Sequence, residues 1–250
     1  MNGSVWMTWI VLFVAAFLPP IFYIIWIRNT ERYEREPWRR IASTFVWGAV
    51  FGVILGVVFS VVLILLFSIT LQGPIYEAIT ENSTYSTLFL VCVIAPVAEE
   101  AAKGLGVFTA GKDLDEVEDG LIYGASVGLG FAATENLLYG YLAWREGVGI
   151  FIATVIIRSI SSALLHASAT SATGYGIGKK KILGRGHYIL PYYFLAVLMH
   201  ATFNYFASME SLLSLFLAIL FAIAAIEFTR HKIHQLDVPY ITEDQWRKYK

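Results

Sequence analysis

Two adjacent carboxylates and a lysine stand inside an apolar stretch of this 250-residue chain. Glu99, Glu100 and Lys103 lie between two apolar runs, and the stretch from about 86 to 110 is long enough to cross a bilayer, which needs about 20 residues. A charge near the centre of such a helix costs at least about 2.5–3.5 kcal/mol on insertion scales. Residues of this kind at this depth indicate a functional site that could hold and deprotonate a water molecule.

The spacing within this group predicts how it is arranged. Lys103 follows Glu99 by four residues, so the two side chains share one face of a helix. Pro96 has no N–H for the preceding turn, which predicts a kink just before the glutamates. A buried structural ion pair is the simpler alternative, but such a pair needs only one carboxylate, and the second carboxylate then has no explanation.

The next three apolar segments carry polar groups at a similar depth. Glu135 and Asn136 lie in one segment, His166 lies in the next, and His200 shares a helix face with Asn204 in the third. The acids and imidazoles all lie within about four residues of a segment centre, or roughly 6 Å at 1.5 Å rise per residue. Each has a structural explanation on its own, yet independent structural residues have no reason to share one depth.

Composition places the chain among polytopic helical membrane proteins. It is 57% hydrophobic and only 15% charged, and apolar runs of membrane length recur along it. We therefore expect an all-α, multi-pass protein of the cell membrane, in contact with membrane lipid and without a nucleic-acid partner. Residues 1–250 are expected to form a single integral membrane domain. Cys92 is the one cysteine, which excludes an intramolecular disulfide.

Hydropathy predicts seven membrane spans. We expect catalytic helices over about 86–207 and a polar cytoplasmic tail over about 229–250. The region between the second and third spans, 72–85, is expected to be a loop without Lys or Arg. The predicted spans are 5–27, 41–71, 86–110, 120–142, 148–178, 188–207 and 211–228.

The basic residues predict the orientation of these spans. Fifteen of the eighteen Lys and Arg residues fall in the tail and in alternate loops, counted from the loop that follows the first span. Because basic loops stay in the cytoplasm, the N-terminus is expected outside and the C-terminus inside.

Two further features concern helix packing. Gly124 and Gly128 form a small-xxx-small face that lets a neighbouring helix approach closely. Arg158 lies in the outer part of the fifth span, where it could either extend to the membrane surface or pair with Glu135.

Together these groups favour hydrolysis of a peptide bond without a covalent intermediate. One glutamate can take a proton from water while the other, held by Lys103, stays ionised. His200 and Asn204 can donate hydrogen bonds to the oxygen of a tetrahedral intermediate. No cofactor is required, although His166, His200 and Glu135 would also make a three-ligand zinc site with an open position. There is no HExxH motif, so the spacing does not demand a metal.

In their order along the chain these motifs resemble the PrsW family of intramembrane proteases. The resemblance rests on Glu99-Glu-x-x-Lys103, Phe131-x-x-x-Glu135-Asn136, a lone His166 and His200-x-x-x-Asn204, and on the charged segment Glu34-Arg-Glu-Pro37. It implies cleavage of a single-span or membrane-anchored protein that resembles an anti-sigma factor. The wider group is similar to the CAAX-prenyl endopeptidases, whose usual proposal is a glutamate-activated water with a His/Asn oxyanion site. In those endopeptidases a histidine stands where this chain has Glu135. We expect His166 to supply the imidazole that positions the water instead.

The combined prediction is an intramembrane endopeptidase. Glu99 is expected to be the general base, with Glu100 and Lys103 tuning it. Glu135 and His166 are expected to position the water, and His200 and Asn204 to bind the oxyanion. The same reaction with zinc is one alternative. A proton-coupled transporter or channel is another, although neither inverted repeats nor paired broken helices are visible in the sequence.

Overall fold

The computed structural model describes residues 3–184 and 186–238, and these ranges contain helices and no strand. A π-helical turn, Gly48–Gly52, joins α2 to α3, and a second one, Leu90–Ile94, joins α5 to α6. The α-helices of the described ranges are α1 Gly3–Arg28, α2 Trp38–Trp47, α3 Val53–Thr70, α4 Pro74–Glu81, α5 Ser83–Phe89, α6 Ala95–Val107, α7 Val117–Glu146, α8 Val148–Ile160, α9 Ser162–Leu183, α10 Ile189–Ala207 and α11 Leu212–Leu236.

Four helical stretches of the described residues are long and apolar enough to cross a membrane: Val5–Arg28, Trp38–Thr70, Val148–Leu183 and Leu212–Leu236. They confirm the all-α fold and support a multi-pass membrane protein. The remaining three predicted spans are shorter or more polar as helices. The count of seven spans and the orientation of the termini therefore stay predictions.

The predicted loop over 72–85 is wrong, because most of this segment is helical. Helix α3 ends at Thr70, Gly73 with a positive φ of 91° precedes the next helix, and Pro74 then opens α4. The Asn82 side chain accepts two backbone N–H groups in the first turn of α5 and caps that helix. Glycine, proline and asparagine here mark helix boundaries rather than irregular backbone.

Two further segments differ from their predicted bounds. The segment predicted as one span over 148–178 breaks at Ser161, whose φ of −124° and ψ of −79° are not helical. The last helix continues eight residues beyond the expected end at 228, because Ile233 and Leu236 pack into the core. The helical residues 229–236 belong to the predicted polar tail, and its residues 239–250 lie outside the described ranges.

Helix α7 lies at the centre of the fold and packs closely against α9, as its small residues predict. A Cβ added to Gly124 would lie 2.5 Å from the Thr170 carbonyl oxygen, and one added to Gly128 would lie 2.2 Å from the His166 carbonyl oxygen. Only glycine allows two backbones to approach this closely. The contact confirms the small-xxx-small prediction and fixes the position of His166 relative to α7.

The opposite face of α7 approaches the α2–α3 segment in the same way. A Cβ on Gly130 would lie 2.0 Å from the Phe45 carbonyl oxygen, and a Cβ on Gly48 would lie 2.1 Å from the Val127 carbonyl oxygen. Helix α6 in turn packs against α3, α7, α9 and α10. This arrangement surrounds the two glutamates of α6 with the helices that carry the other predicted site residues.

Candidate active site

Four helices bring six of the seven predicted site residues into one cluster, in which Glu99 and Glu135 are partly exposed and the other four are buried. Helix α6 supplies three of them, and α7, α9 and α10 supply one each. Each member of this cluster lies within 4 Å of at least one other member. The site cluster consists of Glu99, Glu100, Lys103, Glu135, His166 and His200.

Glu100 is the fully satisfied carboxylate of the site cluster. Its Oε1 accepts from Lys103 Nζ at 2.6 Å and lies 3.0 Å from His200 Nδ1, and its Oε2 accepts from Thr170 Oγ1 at 3.1 Å. Both Glu100 and Lys103 are fully buried. Three donors around one carboxylate hold it ionised and fixed, which suits a residue that organises its neighbours.

Glu99 has a different environment. Its buried Oε2 has no hydrogen-bond partner. The nearest charged groups are Lys103 Nζ at 3.5 Å and His200 Nε2 at 3.8 Å. A separation of 3.8 Å is too long for a direct hydrogen bond, so Glu99 Oε2 and His200 Nε2 face each other across a short gap.

The partners of each imidazole determine which ring nitrogen carries the proton. His200 Nδ1 faces the Glu100 carboxylate, which can only accept, so Nδ1 carries a proton, and in a neutral His200 the lone pair of Nε2 then faces Glu99. His166 Nδ1 lies 2.9 Å from Lys103 Nζ, which can only donate, so Nδ1 accepts. In a neutral His166 the proton is then on Nε2, which donates to Glu135 Oε2 at 3.0 Å.

Arg158 pairs with Glu135, which decides between the two roles that the sequence left open. Its Nη2 lies 2.6 Å from Glu135 Oε2, and its Nε donates to Asn136 Oδ1 at 2.8 Å. The guanidinium also lies over the Tyr139 ring, 3.9 Å from the centroid. Arg158 thus belongs to the site, in the second of the two roles that the sequence left open.

Asn204 lies apart from the site cluster. Its amide nitrogen donates to the Val91 carbonyl oxygen at 2.7 Å, at the π-helical turn before α6. In this turn the Ala95 N–H bonds to the Leu90 carbonyl, five residues back. The next hydrogen bond of the π turn would run from the N–H of residue 96 to the Val91 carbonyl, but residue 96 is a proline and has no N–H. Asn204 therefore satisfies the carbonyl that Pro96 leaves free.

The π-helical turn before α6 confirms that the helix is irregular where Pro96 predicts a kink. The helix widens into a π turn just before the glutamates. Sequence reasoning missed the link to Asn204, because nothing in the spacing of α10 shows which backbone group its amide reaches. It also missed Thr170 as a donor to Glu100.

A family model described as "PrsW family intramembrane metalloprotease" matches residues 36–227. This range covers more than half of the chain and includes every residue of the site cluster. The chain belongs to the PrsW family. It is accordingly a multi-pass integral membrane protein and an intramembrane peptidase, as the motifs predicted.

Curated PrsW proteases are similar over most of the chain. Protease PrsW of Clostridioides difficile (strain 630) is 28% identical over 231 residues, which cover 90% of each chain. Protease PrsW of Geobacillus kaustophilus (strain HTA426) is 27% identical over 199 residues, or 78% of each chain. Protease PrsW of Bacillus subtilis (strain 168) is 25% identical over 170 residues, or 67% of each chain. No solved structure matches the chain.

Because the family description names a metalloprotease, the site cluster must be tested for a metal. Donor atoms of Glu99, His166 and His200 all lie within 4.8 Å of one another. Two imidazoles and one carboxylate are a donor set that suits catalytic zinc, and the Glu100–His200 contact resembles the carboxylate that orients a zinc-bound histidine. The residues therefore fit zinc in type and spacing, with Glu99 in place of the Glu135 that the sequence suggested.

The positive charge of Lys103 disfavours a divalent metal ion between these three donor residues. Its ammonium lies 3.5 Å from Glu99 Oε2 and 2.9 Å from His166 Nδ1. A second positive charge beside it would be repelled strongly in a buried site. His166 also has no free lone pair, since one nitrogen accepts from Lys103 and the other donates to Glu135.

Proposed function

We propose that this PrsW-family peptidase hydrolyses a peptide bond of a membrane-embedded or membrane-proximal protein with a water molecule activated by Glu99. One observation carries this proposal: Glu99 Oε2 is buried, has no hydrogen-bond partner, and faces His200 Nε2 at 3.8 Å. Two acceptors that face each other across a short gap are suited to hold one water molecule by its two protons.

The reaction needs no covalent intermediate. Glu99 takes one proton from the water as its oxygen attacks the carbonyl carbon of the scissile bond. The tetrahedral intermediate then collapses, the C–N bond breaks, and the protonated Glu99 returns the proton to the leaving amine. General acid–base catalysis of this kind contributes about 10²–10⁴-fold to the rate.

Lys103 and Glu100 set the charge around this base. Lys103 Nζ is 2.6 Å from Glu100 and 3.5 Å from Glu99, so the closer contact neutralises Glu100 and leaves Glu99 free to exchange a proton. The same ammonium is near enough to stabilise negative charge that develops on the substrate oxygen. We assign the oxyanion role to Lys103, since the contact of Asn204 with Val91 explains that amide without it.

Glu135, His166 and Arg158 act as positioning residues. Arg158 holds Glu135, Glu135 accepts from His166, and His166 accepts from Lys103. This chain of contacts runs from α8 through α7 and α9 to the lysine on α6. It fixes the direction of the Lys103 ammonium and so its distance from Glu99.

Zinc remains the second candidate, favoured by the three donor atoms that lie within 4.8 Å. Glu99, His166 and His200 would hold the ion, which when bound lowers the pKa of a water ligand to near neutrality. His166 would then have to give up Lys103 or Glu135. The transporter alternative is disfavoured, because the chain belongs to a protease family.

The substrate class follows from the depth of the site. A cluster buried among four helices suits a single-span or membrane-anchored protein, and by resemblance one like an anti-sigma factor. We propose this class for the natural substrate.

The test uses purified protein in detergent and a labelled single-span peptide. Glu99→Gln keeps the shape of the side chain but cannot take a proton. We expect cleavage to fall by at least about 10²-fold while the melting temperature does not fall, since no hydrogen bond to Oε2 is lost. Glu227→Gln, at an exposed carboxylate that pairs with Arg230 on the same helix, is the matched control and should cleave normally. A folded Glu99→Gln protein that cleaves at the normal rate would overturn the assignment.

A further inference from the structure

A second group of buried carboxylates lies outside the site cluster. Glu31 and Glu36 belong to the segment between α1 and α2, and Asp119 lies in the first turn of α7. All three are buried, and one oxygen from each lies within 4.8 Å of the others. We call Glu31, Glu36 and Asp119 the acid triad.

The nearby arginines do not neutralise this triad. Arg28 Nε donates to the Glu36 backbone carbonyl at 2.5 Å, and Arg35 Nε donates to the Glu31 backbone carbonyl at 2.8 Å. Within residues 3–184 and 186–238, no Lys, Arg or His nitrogen forms an ion pair with any of the three carboxylates. Three acids are therefore held together without a direct ion pair among the described residues, and Arg28 interacts with Glu31 and Glu36 only at longer range.

Glu31 also carries an unpartnered oxygen. Its side chain is only 1% exposed, and its Oε1 has no hydrogen-bond partner. The other oxygen accepts from the Glu36 N–H at 3.2 Å. A buried acceptor without a donor costs about 1–3 kcal/mol, so a native structure that retains one usually has a use for it.

Further contacts reach the carboxylates of the triad. Tyr123 donates its hydroxyl to the Glu36 carboxylate, and Asp119 accepts backbone N–H groups at the start of α7. These contacts fix the oxygens in place but bring no positive charge.

A surface pocket reaches two members of the triad. Glu36 and Asp119 line a pocket of about 200 Å³, so a small ion can reach them from outside. The remaining lining is mostly acidic and would attract a cation to the entrance. The other residues of the pocket are Glu34, Arg35, Pro37, Asp113, Asp115 and Glu116.

We propose that the acid triad binds a divalent cation of the Ca²⁺ or Mg²⁺ type. All of its donors are oxygen atoms, which such hard cations prefer, and nitrogen and sulfur donors, which zinc favours, are lacking among the described residues of the triad and its pocket. Oxygens on opposite sides of Ca²⁺ lie about 4.6–5.2 Å apart, since each bond is about 2.3–2.6 Å long. The triad oxygens lie within 4.8 Å of one another, which is close enough for one such ion to bind all three.

A cation there would join separate parts of the fold. It would tie the segment after α1 to the first turn of α7, the helix that carries Glu135. Asp237, just after α11, already accepts the backbone N–H groups of Arg32 and Tyr33 in the same segment. The ion would therefore stabilise one end of the bundle without contacting the site cluster.

The test measures the melting temperature of chelator-treated protein in detergent. Millimolar CaCl₂ or MgCl₂ is added in separate arms, with KCl at equal ionic strength as the reference. We expect one of the divalent ions to raise the melting temperature by several degrees, because a ligand that binds only the folded state stabilises it. Equilibrium dialysis should find a single bound ion per chain.

Variants of the triad test whether the ion binds there. Glu31→Gln should lose the cation-dependent shift, yet without cation it should melt no lower than wild type, since it removes a buried acid from a repelling group. Glu36→Gln is the second variant, and Glu77→Gln, at an exposed acid of α4, should keep the wild-type shift. Two results would overturn the proposal: a wild-type melting temperature that responds equally to KCl, or a full divalent shift that survives in both triad variants.

Discussion

The molecule contains two groups of carboxylates that differ in how their negative charge is balanced. In the site cluster, Lys103 and Arg158 supply a positive charge within 2.6 Å of Glu100 and Glu135. In the acid triad, three carboxylates lie together without a direct ion pair to a cationic side chain among the described residues. The first group is neutralised by the chain itself, and we propose that a cation from outside neutralises the second.

This difference separates the two kinds of chemistry. A group that must exchange protons needs fixed neighbours, and Glu99 is the one acid of the site cluster whose oxygen is left unpartnered. A group that binds a cation needs several acids at once and no competing ammonium. Pairing, rather than the number of acids, thus distinguishes the proposed base from the proposed ion site.

The largest expected effect is loss of Glu100. Glu100→Gln removes the carboxylate that Lys103, His200 and Thr170 contact, and it leaves the buried ammonium poorly paired. Breaking a buried pair in this way costs about 3–5 kcal/mol, so we expect a large fall in the free energy of unfolding. Thermal melting in detergent measures it, and the double variant Glu100→Gln/Lys103→Met should recover part of the loss.

The matched substitution in the other group should have the opposite sign. Glu31→Gln removes one of several repelling acids and should leave the cation-free protein at least as stable as wild type. Equal destabilisation by Glu31→Gln and Glu100→Gln would remove the contrast between the two groups.

A smaller loss is expected from Gly128→Ala. The added Cβ would lie 2.2 Å from the His166 carbonyl oxygen and would push α9 away from α7. Such overpacking costs up to about 3 kcal/mol and should also lower cleavage, because His166 moves with its helix. Gly149→Ala is the control, since nothing lies within 4 Å of its added Cβ. Normal cleavage by Gly128→Ala would show that the site tolerates a shift of α9.

The smallest expected effect concerns Asn204. Asn204→Leu leaves the Val91 carbonyl without its donor and should cost about 1–2 kcal/mol. Pro96→Ala supplies an N–H, so the same Asn204→Leu change should cost less in that background. If instead kcat falls by 10² or more while the melting temperature is unchanged in both backgrounds, Asn204 acts as an oxyanion donor, as the motif suggested.

Much of the site could be predicted from sequence because depth in a membrane is one-dimensional. Counting residues along each helix was enough to bring Glu99, Glu100, Glu135, His166 and His200 to one level. The small-xxx-small pattern was enough to indicate that α7 packs closely against a neighbour.

The partner that each side chain reaches was harder to predict, because it depends on which neighbouring helix packs against that face. Asn204 shares a face with His200 but reaches the turn before Pro96. Lys103 lies closer to Glu100, three residues away, than to Glu99, four residues away. The zinc set suggested by the sequence contained Glu135, whereas the structure brings Glu99 to the two imidazoles.

The acid triad escaped sequence reasoning for a related reason. Glu31 and Glu36 lie in a charged loop rich in arginine, and nothing in the sequence indicated that their side chains are buried. The burial of their side chains arises only when the segment after α1 folds against the start of α7, 83 residues beyond Glu36.

The most direct test of the central proposal is cleavage of a single-span substrate by purified protein in the presence of a zinc-selective chelator, with Ca²⁺ and Mg²⁺ retained so that the acid triad is not disturbed. Elemental analysis is made on the same preparation. If Glu99 activates the water without a metal, the cleavage rate stays unchanged and the zinc content is well below one ion per chain. Stoichiometric zinc that is lost together with activity, and restored together with it, would contradict this account.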